Sequence, residues 1–234
     1  MPRQQQPARP ARRRSYDQYC AAARALDSVG DRWTLLIVRE LLAGPRRYTD
    51  LHADLPGVST DVLASRLKDM EQGGLAVRRR LPPPAAATVY ELTEHGRGLL
   101  PVLTALARWG APALAERRPT DAVRAHWFAL PLLRALDGVT HHGVVEVRLD
   151  EGEFHISTGA QATGGQAYGY GPAVQPDACL ALTTDIALAV GRGELTIAEA
   201  VRDGGAQVSG DGPLAAELRV GRSSAPDTPS PTRL

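Results

Sequence analysis

Cysteine is scarce in this 234-residue chain, with Cys20 and Cys179 far apart, which excludes a disulfide framework and a four-ligand zinc site. Long apolar runs are missing too. Nothing approaches the roughly 18 consecutive apolar residues of a membrane span, and the N-terminus MPRQQQPARPARRR has no apolar core to act as a signal peptide. A cytoplasmic protein without a membrane partner is expected. Lysine occurs once, as Lys68, so arginine supplies nearly all positive charge. Catalytic signatures are absent: there is no HExxH, no nucleophile elbow, no phosphate loop and no spaced thiol ligands. His126, His141, His142 and His155 share the second half with Asp150, Glu151 and Glu153, but His141-His142 between glycines reads as a loop. No metal, no cofactor and no enzymatic activity are expected, a small-molecule enzyme or carrier built on the second half being the alternative.

What is present suits two small domains, since 43% hydrophobic content over this length can fill two cores. The charge is divided unevenly. Residues 1–118 hold 19 basic against 12 acidic side chains, and residues 119–234 hold 8 against 14. The first half suits a polyanion, although an arginine-rich solvated surface would give the same count.

Residues 58–72, VSTDVLASRLKDMEQ, organise the first half. At 100° per residue Val62, Leu63, Leu67 and Met70 share one face, and Asp61, Ala64, Ser65, Lys68 and Gln72 the opposite one. Ser59 or Thr60 can cap the start, Asp61 suits the helix dipole, and Gly73-Gly74 ends the run. Just upstream, Tyr48, Leu51 and Leu55 recur at helical spacing before the Pro56-Gly57 break. A short helix, a turn and a longer helix make a helix-turn-helix outline.

In chain order, residues 1–14 form a basic arm that either touches phosphate or is a solvated tail. Residues 16–29 predict a helix with Tyr19, Ala22, Ala23 and Leu26 on one face, and a second helix begins near Asp31. After the reading helix, residues 75–81 and 88–92 alternate as two strands, a wing in which Arg78 and Arg80 share a face and Arg79 does not. Thr93 caps a helix to about Ala115, kinked at Pro101, whose stripe of Leu99, Leu100, Leu103, Leu106 and Trp109 is either a dimer seam or a dock for the second domain.

The run Val29-Gly30-Asp31-Arg32-Trp33-Thr34-Leu35-Leu36-Ile37, Gly44-Pro45-Arg46-Arg47-Tyr48, residues 63–74, Tyr90-Glu91-Leu92-Thr93-Glu94-His95-Gly96 and Trp109 resembles the HxlR family of bacterial winged-helix regulators, relatives of MarR. The resemblance covers about residues 16–115 and mostly shows Phe where Tyr48 stands. It implies a homodimer placing two reading helices in successive major grooves of a pseudo-palindromic operator on double-stranded DNA. Within it, Ser59 and Thr60 suit phosphate oxygens, Asp61 could accept from cytosine N4, and Ala64, Ser65 and Lys68 face base edges. Arg66 lies between faces and could reach a phosphate, and Arg47, Arg78 and Arg80 are backbone clamps. A surface ion pair is the plain alternative for each charged residue. The family often has a cysteine where Cys20 stands, in some members an oxidant sensor; a small buried hydrophobe near the dimer seam is the other reading.

The second half predicts a helix over 121–136 bent at Pro131, a hairpin over 144–149 and 153–158, strands at 166–170 and 179–183, short helices at 184–190 and 197–202, and a final helix at 213–220. Together with Asp177-Ala178-Cys179-Leu180-Ala181-Leu182-Thr183, Gly193-Glu194-Leu195 and Val208-Ser209-Gly210-Asp211, this order resembles the sterol-carrier-protein-2-like domains over residues 121–220. That implies a mixed sheet and a hydrophobic or aromatic small-molecule effector, with Trp127, Phe154, Tyr168 and Tyr170 as candidate contacts; a filled dimerisation module is the alternative. The fold class expected is α+β: a winged helix-turn-helix domain at 15–118, a mixed α/β sheet domain at 121–220, and a disordered tail at 221–234. The function expected is transcriptional regulation, as a repressor.

Overall fold

The structure, a computed structural model, describes residues 15–114, 117–159 and 166–221; the basic arm and nearly all of the tail lie outside them. The chain divides into two compact units, Met1–Leu41 with Pro45–Leu99, and Leu42–Gly44 with Leu100–Leu234. Among the described residues no helix is long and apolar enough to cross a membrane.

The first unit runs α1 (Ala21–Val29), α2 (Thr34–Leu42), α3 (Tyr48–Asp54), α4 (Thr60–Gln72), β1 (Ala76–Arg80), β2 (Thr88–Leu92) and α5 (Glu94–Arg97). Helix α1 starts later than the sequence pattern suggests and buries Ala23 and Val29, while Tyr19, Ala22 and Leu26 face outward. Residues 31–33 form a turn, so α2 begins at Thr34, with Ile37, Val38 and Leu41 buried. Strands β1 and β2 pair antiparallel from Ala76↔Leu92 to Arg80↔Thr88, and Arg46 adds an antiparallel bridge to Tyr90. Thr93 caps α5 by accepting from the Gly96 amide at 3.1 Å and donates to the Gly74 carbonyl at 2.6 Å. A Cβ on Gly96 would stand 2.0 Å from the Leu75 carbonyl oxygen, so the close approach of α5 to the end of α4 requires glycine there.

The second unit begins with α6 (Leu100–Gly110). The helix expected from Thr93 onward is therefore two helices. Pro101 lies in the first turn of α6, where an amide has no helical acceptor to lose, so it starts this helix instead of kinking one. The same applies downstream: residues 125–128 form a 3₁₀ turn, and Pro131 is the third residue of α7 (Ala129–Ala135). Then come β3 (Gly143–Leu149), β4 (Gly152–Thr158), β5 (Tyr168–Tyr170), β6 (Ala178–Leu182), α8 (Thr184–Arg192), α9 (Ile197–Arg202), β7 (Ala206–Ser209) and α10 (Pro213–Val220). The sheet order is β5-β4-β3-β6-β7, mixed because β3 runs parallel to β6 and the other pairs are antiparallel.

One sheet face is the core, with Val145, Val147, Phe154, Ile156, Tyr168 and Leu180 almost fully buried. The other carries Glu146, Arg148, Glu153, His155 and Cys179, as alternation requires. Glu146 is itself buried, its carboxylate taking hydrogen bonds from Arg148 Nε (2.8 Å) and the Ala173 amide (3.0 Å). Helices α7 and α8 approach closely where Gly191 meets Pro131.

Glu217 on α10 gathers the loop ahead of β3. Its carboxylate accepts from the Thr140 amide (2.8 Å) and hydroxyl (2.9 Å) and from the His141 amide (3.1 Å), with His141 Nδ1 at 2.7 Å. Burial pushes its pKa up, but these donors outweigh it and hold the group at about 2. A carboxyl depressed in the folded state contributes stability that is complete above its unfolded value near 4.5 and lost as pH falls towards 2. Acid titration followed by circular dichroism should show Glu217→Gln less stable than the parent by about 1 kcal/mol at pH 7, with the difference vanishing near pH 2.

Candidate nucleic-acid interface

Helix α4 is held by its apolar stripe. Leu63, Leu67 and Met70 recur at i, i+4 and i+7 and are at most 2% exposed, so the opposite face must look outward. Ser59 supplies the cap, its Oγ accepting from the Val62 amide at 3.3 Å. That use of a lone pair leaves the hydroxyl proton free to donate, for instance to a phosphate oxygen. Thr60, Asp61, Ala64, Ser65 and Lys68 are all exposed. Val62 is exposed as well, at 38%, whereas the helical projection groups it with the packed side. It stands about 100° from the centre of the stripe's own side, far enough round to leave the core. An exposed valine on the first turn adds a methyl-contacting group among the polar ones.

The arginines separate into two groups. Arg66 does not project outward: it pairs with Asp31, ahead of α2, and with Asp69 at 2.9 Å, which makes it a brace for α4 in place of the phosphate contact expected for it. Arg79 pairs across the wing with Glu91, through Nε at 3.1 Å and Nη2 at 2.8 Å. Arg78 and Arg80, exposed on the other face of β1, and Arg47, exposed at the cap of α3, form no ion pair among the described residues, and neither does Lys68. One compact unit thus presents the α4 face together with a wing bearing two unpaired cations.

Tyr48 is a contact that residue spacing gives no sign of. Its hydroxyl donates to the Thr60 carbonyl at 2.8 Å, joining the first residue of α3 to the first residue of α4.

This constellation can be set beside known proteins. Residues 28–118 match the HxlR-like helix-turn-helix family. The uncharacterised regulator YvaP of Bacillus subtilis is 37% identical over 86 residues, 37% of this chain and 80% of that protein. The chain belongs to the HxlR-like helix-turn-helix family. A second relative, the transcriptional regulator YodB of Bacillus subtilis, is 35% identical over 85 residues, 36% of this chain and 76% of that protein. The solved reduced form of YodB is 30% identical with a TM-score of 0.37, covering 43% of this chain and all of that one.

In this HxlR-family chain Cys20 is exposed within the single chain. The Ala23 and Ala22 amides at the start of α1 hold its thiol below the usual pKa. In the second unit Phe154 and Tyr168 are packed into the sheet's core face, Phe154 opposite Tyr170. Trp127 and Tyr170 are part-exposed, and both rings meet the buried His126, at 6.1 Å and 4.4 Å. His155 faces the Gly171 carbonyl and His141 pairs with Glu217, so the second half's histidines are engaged separately.

If Arg66 braces the fold, Arg66→Ala should lower the thermal midpoint by a few degrees, about 0.5–1 kcal/mol for exposed pairs. It should leave the salt dependence of duplex binding unchanged, which a titration at several ionic strengths would show.

Proposed function

We propose that this HxlR-family protein is a sequence-specific double-stranded-DNA-binding transcriptional regulator, a repressor acting in the cytoplasm as a homodimer on a pseudo-palindromic operator. The observation that carries this is α4: a capped helix whose buried stripe turns Asp61, Ala64, Ser65 and Lys68 outward, in one unit with a wing offering Arg78 and Arg80. Ser59 and Thr60 set the helix on phosphates, Ala64 and Ser65 meet base edges, and Arg47, Arg78 and Arg80 grip the backbone. The exposed Val102, Leu106 and Trp109 of α6 supply apolar surface for a second copy. Relatives named as transcription regulators support the same reading.

The second unit takes up a hydrophobic or aromatic molecule that modulates DNA binding. Its mixed sheet and the part-exposed Trp127 and Tyr170 support the sterol-carrier-like reading. A second reading, thiol sensing through Cys20, is favoured by that residue's exposure and lowered pKa.

Selection from random duplexes should return paired half-sites about 34 Å apart. Lys68→Ala should bind them more weakly and flatten the slope of log K against log salt by about one unit; recovery of no enriched sequence would remove the DNA reading. For the thiol reading, peroxide should release the parent protein from the selected duplex and leave Cys20→Ser bound.

A further inference from the structure

Among the described residues, the segment between α2 and α4 is fastened at both ends to the two parts that would enter DNA. At one end Arg46 and Tyr90 of β2 exchange backbone hydrogen bonds, the Arg46 amide to the Tyr90 carbonyl at 2.9 Å and the Tyr90 amide to the Arg46 carbonyl at 2.7 Å. Arg46 is further tied to Asp54, the last residue of α3, by an ion pair in which both side chains are mostly buried. At the other end the Tyr48 hydroxyl reaches twelve residues along the chain to the Thr60 carbonyl of α4. Between them, the Tyr48 ring lies nearly parallel to the His52 imidazole one turn on, at 18° with centroids 6.4 Å apart. The bracket therefore runs from wing strand, through Arg46 and Tyr48, to the first residue of the reading helix.

We infer that Tyr48 is a positioning residue, and that its hydroxyl sets where the first turn of α4 stands relative to the wing. This inference rests on the DNA-binding reading. The apolar stripe of α4 fixes the helix's rotation, yet side chains that slide along one another restrain its N-terminal end less than a directional bond does. The Ser59 cap and Thr60, Asp61 and Val62 of that first turn move together, so a displacement there changes contacts with the duplex without unfolding anything. Base-edge contacts need alignment to a fraction of an ångström, whereas phosphate attraction tolerates a shift. Loss of the hydroxyl should therefore lower discrimination between sequences and spare general affinity.

The test uses the full chain and Tyr48→Phe, which keeps the ring and its stack on His52. Binding is measured by fluorescence anisotropy to the selected duplex and to a scrambled duplex of equal length, each at several salt concentrations. The expected result is a loss of roughly three- to tenfold for the selected duplex, the scale of one hydrogen bond, with scrambled-duplex affinity and salt slope unchanged. Wild-type affinity of Tyr48→Phe for the selected duplex would overturn the inference. An equal loss on both duplexes would overturn it too, because a general defect or a phosphate contact by the hydroxyl behaves that way. Should the parent chain itself hold neither duplex, the DNA reading fails and this inference falls with it, a result distinct from the other two.

Discussion

Burial of three side chains on α4 decides what the first unit can do. Leu63, Leu67 and Met70 are essentially inaccessible, each contributing about 1.5–3 kcal/mol relative to exposure. Rotating the helix by half a turn would bring Asp61, Ser65 and Lys68 into the core in exchange. Unpaired charges there would cost more than the lost apolar burial, so the outward face is fixed by what must be hidden. Positive charge suits a polyanion, but the apolar stripe chooses which residues of α4 are left outward.

The positive excess of the first half overstates its electrostatic reach. Arg39 pairs with Glu40, Arg46 with Asp54, Arg66 with Asp31 and Asp69, and Arg79 with Glu91. These guanidinium groups brace neighbouring elements, and a phosphate competing for them would have to break existing bonds. Among the described residues without such pairs are Arg47 at a helix cap, Lys68 on the α4 face, and Arg78 and Arg80 on one side of the wing. A footprint with few strong cations suits recognition in which base edges carry much of the discrimination.

Local chemistry made much of this readable in the residues. The bounds of α4 follow from Ser59 and Gly73-Gly74, and the wing from two alternating runs around a proline-rich turn. Prolines misled because their effect depends on register: Pro101 and Pro131 would kink a helix that had already begun, yet each stands within a first turn. Tyr19, Leu26 and Val62 misled in another way, since spacing shows that apolar residues share a face and says nothing of whether that face is covered within one chain. Contacts between distant residues left no local trace. The reach of Tyr48 to Thr60, of Arg66 to Asp31 and of Glu217 to Thr140 depends on the chain's path, which periodicity does not encode.

The two thiols illustrate how placement settles chemistry that composition leaves open. Cys179 lies on the polar face of the sheet, where burial raises its pKa, the Arg148 guanidinium opposes the rise and the Glu146 carboxylate adds to it. A proton on that sulfur is favoured, and its Sγ stands 3.8 Å from Glu146 Oε1. Cys20 has the opposite surroundings: it is exposed, and two amides at the start of α1 favour the anion. Since the thiolate is the form that reacts, oxidants would meet a more nucleophilic sulfur at residue 20 than at residue 179. The exposed and more readily ionised of the two thiols therefore lies in the unit that carries α4 and not in the sheet-bearing one.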